Sequence, residues 1–146
     1  MDILPANLLD LNTLRKLEQA CFPRDAWPLL DLLAVLSLPN VIRLKAVEAG
    51  ELIGFIAGDQ RDSIAWVATI GVLPQFRNRG VGRALMEACE GRFRLARIRL
   101  CVREGNFSAI HLYEKLGYQT VDTWYRYYND GANGVVMEKL RSQSVT

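Results

Sequence analysis

The sequence predicts an α/β (α+β) fold in one domain, a mixed and mostly antiparallel sheet with helices packed on it. Three observations predict this. The chain of 146 residues is 50% hydrophobic and 23% charged, which suits one buried core and excludes a disordered segment. Residues 41–72 hold three runs rich in apolar and β-branched side chains, separated by short turns, as an antiparallel meander requires. From residue 80 onward, helical and strand periodicities alternate between turns.

In chain order, residues 2–4 read as a short edge strand ended by Pro5. Asn7 or Asp10 caps a helix reaching about Cys21, with Leu11, Leu14 and Leu17 at helical spacing. Pro23 ends it. Pro28 opens a second helix through Leu29, Leu32, Leu33 and Leu36, and Pro39 closes it. Residues 41–47, 52–58 and 63–72 form the meander, with residues 48–51 as a turn. In the third run Trp66, Ala68 and Ile70 alternate with Val67 and Thr69. A helix over 80–93 carries Val81, Leu85, Met86 and Cys89 as its apolar stripe. Residues 97–102 alternate as a strand through Ile98, Leu100 and Val102. Asn106 caps a helix over 106–116 that Gly117 releases. Residues 118–128 read largely as strand, and 134–140 as the last strand. The order is β-α-α-β-β-β-α-β-α-β-β. Residues 1–140 read as one domain and 141–146 as a short frayed tail.

Composition excludes several functions. Net charge is only +2, and the arginines between Arg77 and Arg103 lack the interleaved aromatic platforms of a nucleic-acid binder. No apolar run nears the eighteen or so residues of a membrane span, and the acidic N-terminus lacks the basic start of a signal peptide. Cys21, Cys89 and Cys101 are odd in number and form no CxxC, and His111 is the single histidine. A metal site is therefore not expected, and each cysteine reads as a small buried hydrophobe. A reducing, cytoplasmic compartment is the simpler reading.

The strongest local signal runs from Gly71 to Arg83, GVLPQFRNRGVGR, between a strand and a helix. A helix start presents unpaired N–H groups and the positive end of the helix dipole. Gly80 and Gly82 lack Cβ atoms, so a pyrophosphate can approach the backbone. Arg77, Arg79 and Arg83 add charge-assisted donors. Neither GxxxxGK[ST] nor GxGxxG occurs, so the turn is neither a mononucleotide P-loop nor a dinucleotide fingerprint.

Arg77-x-x-Gly80-x-Gly82 resembles the acetyl-CoA pyrophosphate motif of the GCN5-related N-acetyltransferases (GNAT). A second block, NFSAIHLYEKLGY over 106–118, matches the family pattern NxxAxxLYxxxGF/Y. The resemblance implies an acyl-CoA N-acyltransferase fold: about seven strands, helices on both faces, and a splay between the fourth and fifth strands. It implies acetyl-CoA as cosubstrate, with the turn from Gln75 through Arg77, Arg79, Gly80 and Gly82 to Arg83 on the pyrophosphate. Backbone groups of Ile70 and Val72 would bond the pantetheine arm, and Asn106 would contact it. A backbone N–H near Val72 would polarise the acetyl carbonyl.

An amine attacks a thioester only when neutral, and the departing thiolate needs a proton or a hydrogen bond. Asn106 and Tyr113 share one helix face, and the resemblance gives Tyr113 the role of acid toward the thiolate. The general base stays open. Cys101 stands where relatives carry glutamate or histidine. Glu18 or Asp25 could act through water, while His111 reads as structural or solvent-facing.

Two stretches bear on the acceptor. Phe22 and Trp27, in CFPRDAW, and Tyr125 and Tyr127, in WYRYYNDG, resemble substrate-holding segments of the ribosomal-protein and protein N-terminal acetyltransferase branch. Trp66 stands where other relatives have an assisting tyrosine. Alternation puts Tyr125 and Tyr127 on one face. The expected acceptor is a protein or peptide N-terminus. A small-molecule amine, a catalytically silent acetyl-CoA binder and a homodimer stay open.

Overall fold

The structure, a computed structural model, describes residues 1–142. Its elements follow the expected order: β1 (Asp2–Pro5), α1 (Leu11–Cys21), α2 (Leu29–Ser37), β2 (Val41–Glu48), β3 (Glu51–Arg61), β4 (Ile64–Val72), α3 (Val81–Arg92), β5 (Arg97–Arg103), α4 (Phe107–Lys115), β6 (Gln119–Trp124) and β7 (Gly134–Leu140). One-turn 3-10 helices precede α1 (Leu8–Asp10) and α3 (Pro74–Phe76). Asn7 caps the first of these, accepting from Leu9 N–H at 2.9 Å, while Pro28 sits at the N-cap of α2.

The seven strands lie in the order β1-β2-β3-β4-β5-β7-β6. Every pairing is antiparallel except β4 with β5. Two-residue turns join the meander: Ala49 (φ 51°) and Gly50 (φ 78°), then Asp62 (φ 51°) and Ser63 (φ 71°). Positive φ at both central residues matches the right-handed twist of the flanking strands.

Helices cover both faces. Leu14 and Leu17 of α1 and Leu32, Val35 and Leu36 of α2 pack on Phe55 and Ala57 of β3. On the other face Val81, Leu85, Met86 and Cys89 of α3, with Tyr113 of α4, join Ile56, Ile98, Leu100 and Met137. Each fully buried leucine or isoleucine contributes about 1.5–3 kcal/mol over leaving it exposed.

The sheet breaks where the site must form. β4 and β5 pair only at Ala65↔Ile98, Trp66↔Arg99 and Val67↔Leu100. The β3–β4 register shifts at the same level, from Ala57↔Thr69 to Gly58↔Val67, which leaves Ala68 as the extra residue of a β-bulge. A bulge bends its strand and ends pairing. Gly58 admits it: a Cβ there would stand 2.6 Å from Phe93 Cζ and 2.8 Å from Trp66 O.

Two expectations change. The strand over 118–128 stops at Trp124, because Arg126 takes φ 53°, so alternation fails beyond it and Tyr125 points to solvent, 80% exposed. Arg141, assigned to a frayed tail, is tied down. Its N–H donates to Ala96 O at 2.9 Å, and its guanidinium donates to Glu90 O, Phe93 O and Leu95 O at 2.6, 3.0 and 2.8 Å. It thereby satisfies carbonyls at the end of α3. Residues 143–146 of that tail lie outside the described residues.

Candidate active site

Past Val67 and Leu100 the diverging strands open a groove of about 1360 Å³, walled by α4 and the start of α3 on one side and the α1–α2 and β6–β7 loops on the other. The ladder fixes what β4 presents to it. Leu73 N–H donates to Ile53 O at 2.9 Å, so bonded pairs recur at Phe55/Gly71 and Ala57/Thr69. The backbone groups of Ile70 and Val72 therefore point away from β3, into the gap. Val72 O is engaged there by Cys21 Sγ at 3.3 Å and Arg77 Nε at 3.0 Å, and the Val72 N–H and both Ile70 groups face the groove.

At one end stands the glycine turn. Gly80 is the left-handed N-cap of α3 (φ 81°), and a Cβ on it would meet nothing within 4 Å. A Cβ on Gly82 would come 3.3 Å from Leu112 Cδ2, so glycine there keeps the gap between α3 and α4 open. Arg77, Gly80, Gly82 and Arg83 line the groove, as do Ile70, Val72 and Asn106. Gln75 and Arg79 do not. Gln75 sits in the exposed 3-10 turn, and the Arg79 guanidinium stacks on Phe76 at 5.5 Å. A cradle of helix N–H groups, two arginines and inward-facing strand amides fits a pyrophosphate joined to an extended arm.

On α4, Asn106 caps the helix by accepting from Ala109 N–H at 3.3 Å. Tyr113 lines the groove from a buried position, its ring edge-on to Tyr118 at 6.1 Å. Burial pushes its phenol well above the usual tyrosine range, so it holds its proton at neutral pH. Ser108, His111 and Lys115 also line the groove. His111, expected to be structural or solvent-facing, is exposed, and it also lies on the groove-lining face that the spacing 108, 111, 115 defines.

The other end is aromatic. Trp66 and Trp124 stack at 5.8 Å, Trp124 meets Tyr127 at 5.1 Å, and Tyr127 meets Tyr128 edge-on at 5.1 Å. Phe22 and Trp27 line the groove with Trp66 and Tyr127, and Tyr125 does not. Cys101 lies on the floor between, where burial pushes its thiol up while neighbouring Tyr128 pulls the other way. Glu18 is sealed beneath, 1% exposed. Its carboxylate accepts from Trp27 N–H at 3.3 Å and Thr69 Oγ1 at 3.2 Å, and desolvation raises its pKa against those two bonds. Asp25 is held by Arg103 at 2.7 Å. The sequence did not single out Arg103, Trp124 or Tyr128 for this site; their roles follow from loop geometry that no periodicity encodes.

A groove with a phosphate-type cradle at one end, an aromatic mouth at the other and strand amides between defines an acyl-transfer enzyme. Comparison with known proteins agrees. The model of the acetyltransferase (GNAT) family matches residues 11–118. An acetyltransferase of Pectobacterium atrosepticum is 34% identical over 119 residues, 77% of this chain and 84% of that protein. N-alpha-acetyltransferase 50 of Danio rerio is 28% identical over 151 aligned positions, 97% of this chain and 88% of that one. Among solved structures, the ribosomal-protein-S18-alanine N-acetyltransferase from Escherichia coli superposes with a TM-score of 0.87 at 25% identity, covering 99% and 96% of the two chains. The chain belongs to the GNAT family of acetyltransferases.

Proposed function

We propose that the enzyme transfers the acetyl group of acetyl-CoA to the N-terminal α-amine of a protein or peptide, both substrates being bound at once. The observation that carries this is the continuity of the groove: the glycine turn and the aromatic mouth are two ends of one space, with Tyr113 and the Val72 N–H between them. Acetyl-CoA supplies the acyl group as a thioester. The start of α3, with Arg77 and Arg83, binds the pyrophosphate, and Asn106, Ile70 and Val72 orient the arm. The Val72 N–H donates to the carbonyl oxygen as negative charge develops on it. The protonated Tyr113 gives a hydrogen bond or its proton to the departing thiolate, and the proton lost by the attacking amine passes through solvent to restore it. Phe22, Trp27, Trp66 and Tyr127 hold the acceptor.

None of Cys101, Glu18 and Asp25 offers a free carboxylate or thiolate, which supports an α-amine, His111 being exposed on α4. The thiol of Cys101 is held protonated, and Glu18 and Asp25 are engaged by hydrogen bonds and an ion pair. At pH 7 about 10–15% of an α-amine is already neutral, against about 0.04% of a lysine side chain. Without a carboxylate or thiolate to deprotonate it, a lysine acceptor starts a few hundredfold behind an α-amine in its neutral fraction. The names of the Danio rerio relative and the Escherichia coli structure point the same way.

The test is acetyl-CoA-dependent thiol release on four acceptors: peptides with free N-termini, N-blocked peptides containing lysine, polyamines and amino sugars. Turnover confined to free N-termini is expected. Turnover confined to polyamines or amino sugars would replace this reading with a small-molecule acetyltransferase.

A further inference from the structure

Arg103 is the last residue of β5, and its guanidinium ties two loops that are remote in sequence. Nη2 and Nε donate to Asp25 Oδ2 at 2.7 and 3.2 Å. Nη1 donates to Asp130 Oδ2 and Oδ1 at 2.9 and 3.1 Å. Its plane lies 4.6 Å from the Tyr128 ring centre, and Arg24 reaches Asp130 Oδ2 at 3.2 Å. Asp25 belongs to the α1–α2 loop that carries Phe22 and Trp27. Asp130 belongs to the β6–β7 loop that carries Tyr127 and Tyr128. The two sides of the aromatic mouth thus meet on one side chain.

The Arg103 side chain is 23% exposed and its partners 22% and 38%, so the fork is part-buried, with Asp130 its most exposed member. What the fork fixes is the distance between the loops, since one planar guanidinium holds two carboxylates at set angles. It also occupies both carboxylates. Arg24, Arg61, Arg103, Asp25 and Glu104 line this part of the groove, with Asp130 held against Arg24 and Arg103 and Asp59 against Arg61. Without Arg103 the mouth would be more acidic, with Asp25 unpaired and Asp130 left to Arg24 alone.

We propose that Arg103 determines acceptor specificity: by spanning Asp25 and Asp130 it fixes the width of the acceptor mouth and keeps both carboxylates from the substrate, so the enzyme takes N-termini whose second and third residues are uncharged in preference to basic ones. Arg103 is a positioning residue and touches no reacting atom. This inference rests on the acceptor being bound at the aromatic end, as proposed above.

The experiment uses two peptides that differ only at positions two and three, neutral in one and lysine in the other. They are assayed with the wild type, Arg103→Gln, Arg103→Lys, and Arg103→Gln combined with Asp25→Asn and Asp130→Asn. The wild type is expected to favour the neutral peptide. R103Q should raise KM for that peptide about tenfold, leave KM for acetyl-CoA within twofold, and shift the preference toward the lysine peptide. R103K keeps the charge but not the fork, so it should retain the wild-type preference with a raised KM. The triple variant should lose the preference for lysine while its KM stays high. An unchanged peptide preference in R103Q, or a parallel rise in both KM values with a lowered Tm, would overturn the proposal. If the wild type acts on small amines alone, the α-amine reading fails separately. The same variants then judge Arg103 by the ratio of a polyamine to a monoamine, where an unchanged ratio overturns it too.

Discussion

Thr69 and Glu18 are joined by a hydrogen bond, Thr69 Oγ1 donating to Glu18 Oε2 at 3.2 Å across 51 residues of sequence. Thr69 follows the bulge in β4, and Glu18 also accepts from Trp27 N–H at 3.3 Å. One buried carboxylate therefore binds α1, the α1–α2 loop and the strand whose backbone faces the groove. Each of its oxygens accepts a bond and it is shut off from solvent, which suits a brace, and the variants below test it against the role of base. Glu18→Ala should lower stability by about 1.5–3 kcal/mol, the range for hydrogen bonds to a charged group, as read by denaturant unfolding. Glu18→Gln keeps an acceptor for Trp27, and its pH–rate profile should keep the wild-type midpoint. A midpoint that moved would return Glu18 to the list of bases.

With Tyr113 as the proposed acid, it and the acceptor amine should set the pH dependence. The amine must lose its proton, so kcat/KM should rise with pH through about 8, the α-amine range. Tyr113 must keep its proton, and burial pushes its pKa up, so no falling limb should appear below about pH 9.5, since an unperturbed phenol titrates near 10. Tyr113→Phe should lower kcat by about 100-fold, the scale of one general acid, with the Kd for acetyl-CoA within twofold. Steady-state kinetics and calorimetric binding separate the two, and an unchanged kcat would remove the acid role.

Two glycines should respond oppositely. Gly58→Ala drives a Cβ to 2.8 Å from the Trp66 carbonyl oxygen, which is backbone and cannot swing aside. A loss of about 1–3 kcal/mol is expected, the usual range for overpacking, visible as a lower Tm. Gly82→Val meets the flexible end of Leu112 at 3.3 Å and should fold. Its side chain would stand in the cradle, so acetyl-CoA affinity should drop at least tenfold. Normal affinity in Gly82→Val would remove the glycine turn from the cofactor site.

The element order was legible because it rests on short-range signals: leucine spacing in α1 and α2, prolines at their ends, and β-branched runs in the meander. The glycine turn at the start of α3 was legible because Arg77, Gly80 and Gly82 lie within six residues of one another in a strand–turn–helix context. The bulge at Ala68 was not, since it depends on how β3 and β4 settle around Gly58 and Phe93. Tyr125 was misplaced because alternation was carried past Trp124, and a left-handed residue such as Arg126 has no marker when it is not glycine or asparagine. The Arg103 fork joins residues 78 and 27 positions away. No local pattern encodes such a pairing, and an arginine at a strand end reads as a solvated charge.

The three cysteines offer a check on the groove that needs no turnover. Burial holds the Cys89 thiol up at about 12, and Cys89 is fully buried on the inner face of α3. Only the thiolate reacts with a disulfide reagent, so at pH 8 Cys89 should stay unlabelled until the protein unfolds. Cys21 and Cys101 line the groove and are part-exposed, though burial raises both thiols as well. They should label slowly, faster as pH rises from 7 to 9. Cys21 donates to the same Val72 oxygen that Arg77 engages, close to where the pantetheine arm is expected, and Cys101 lies under the aromatic mouth. Saturating acetyl-CoA should therefore protect Cys21 strongly, while a peptide acceptor added with CoA should extend protection to Cys101. Mass spectrometry of the labelled protein reads each site separately. Protection of Cys101 by acetyl-CoA with none at Cys21 would reverse the assignment of the two ends of the groove.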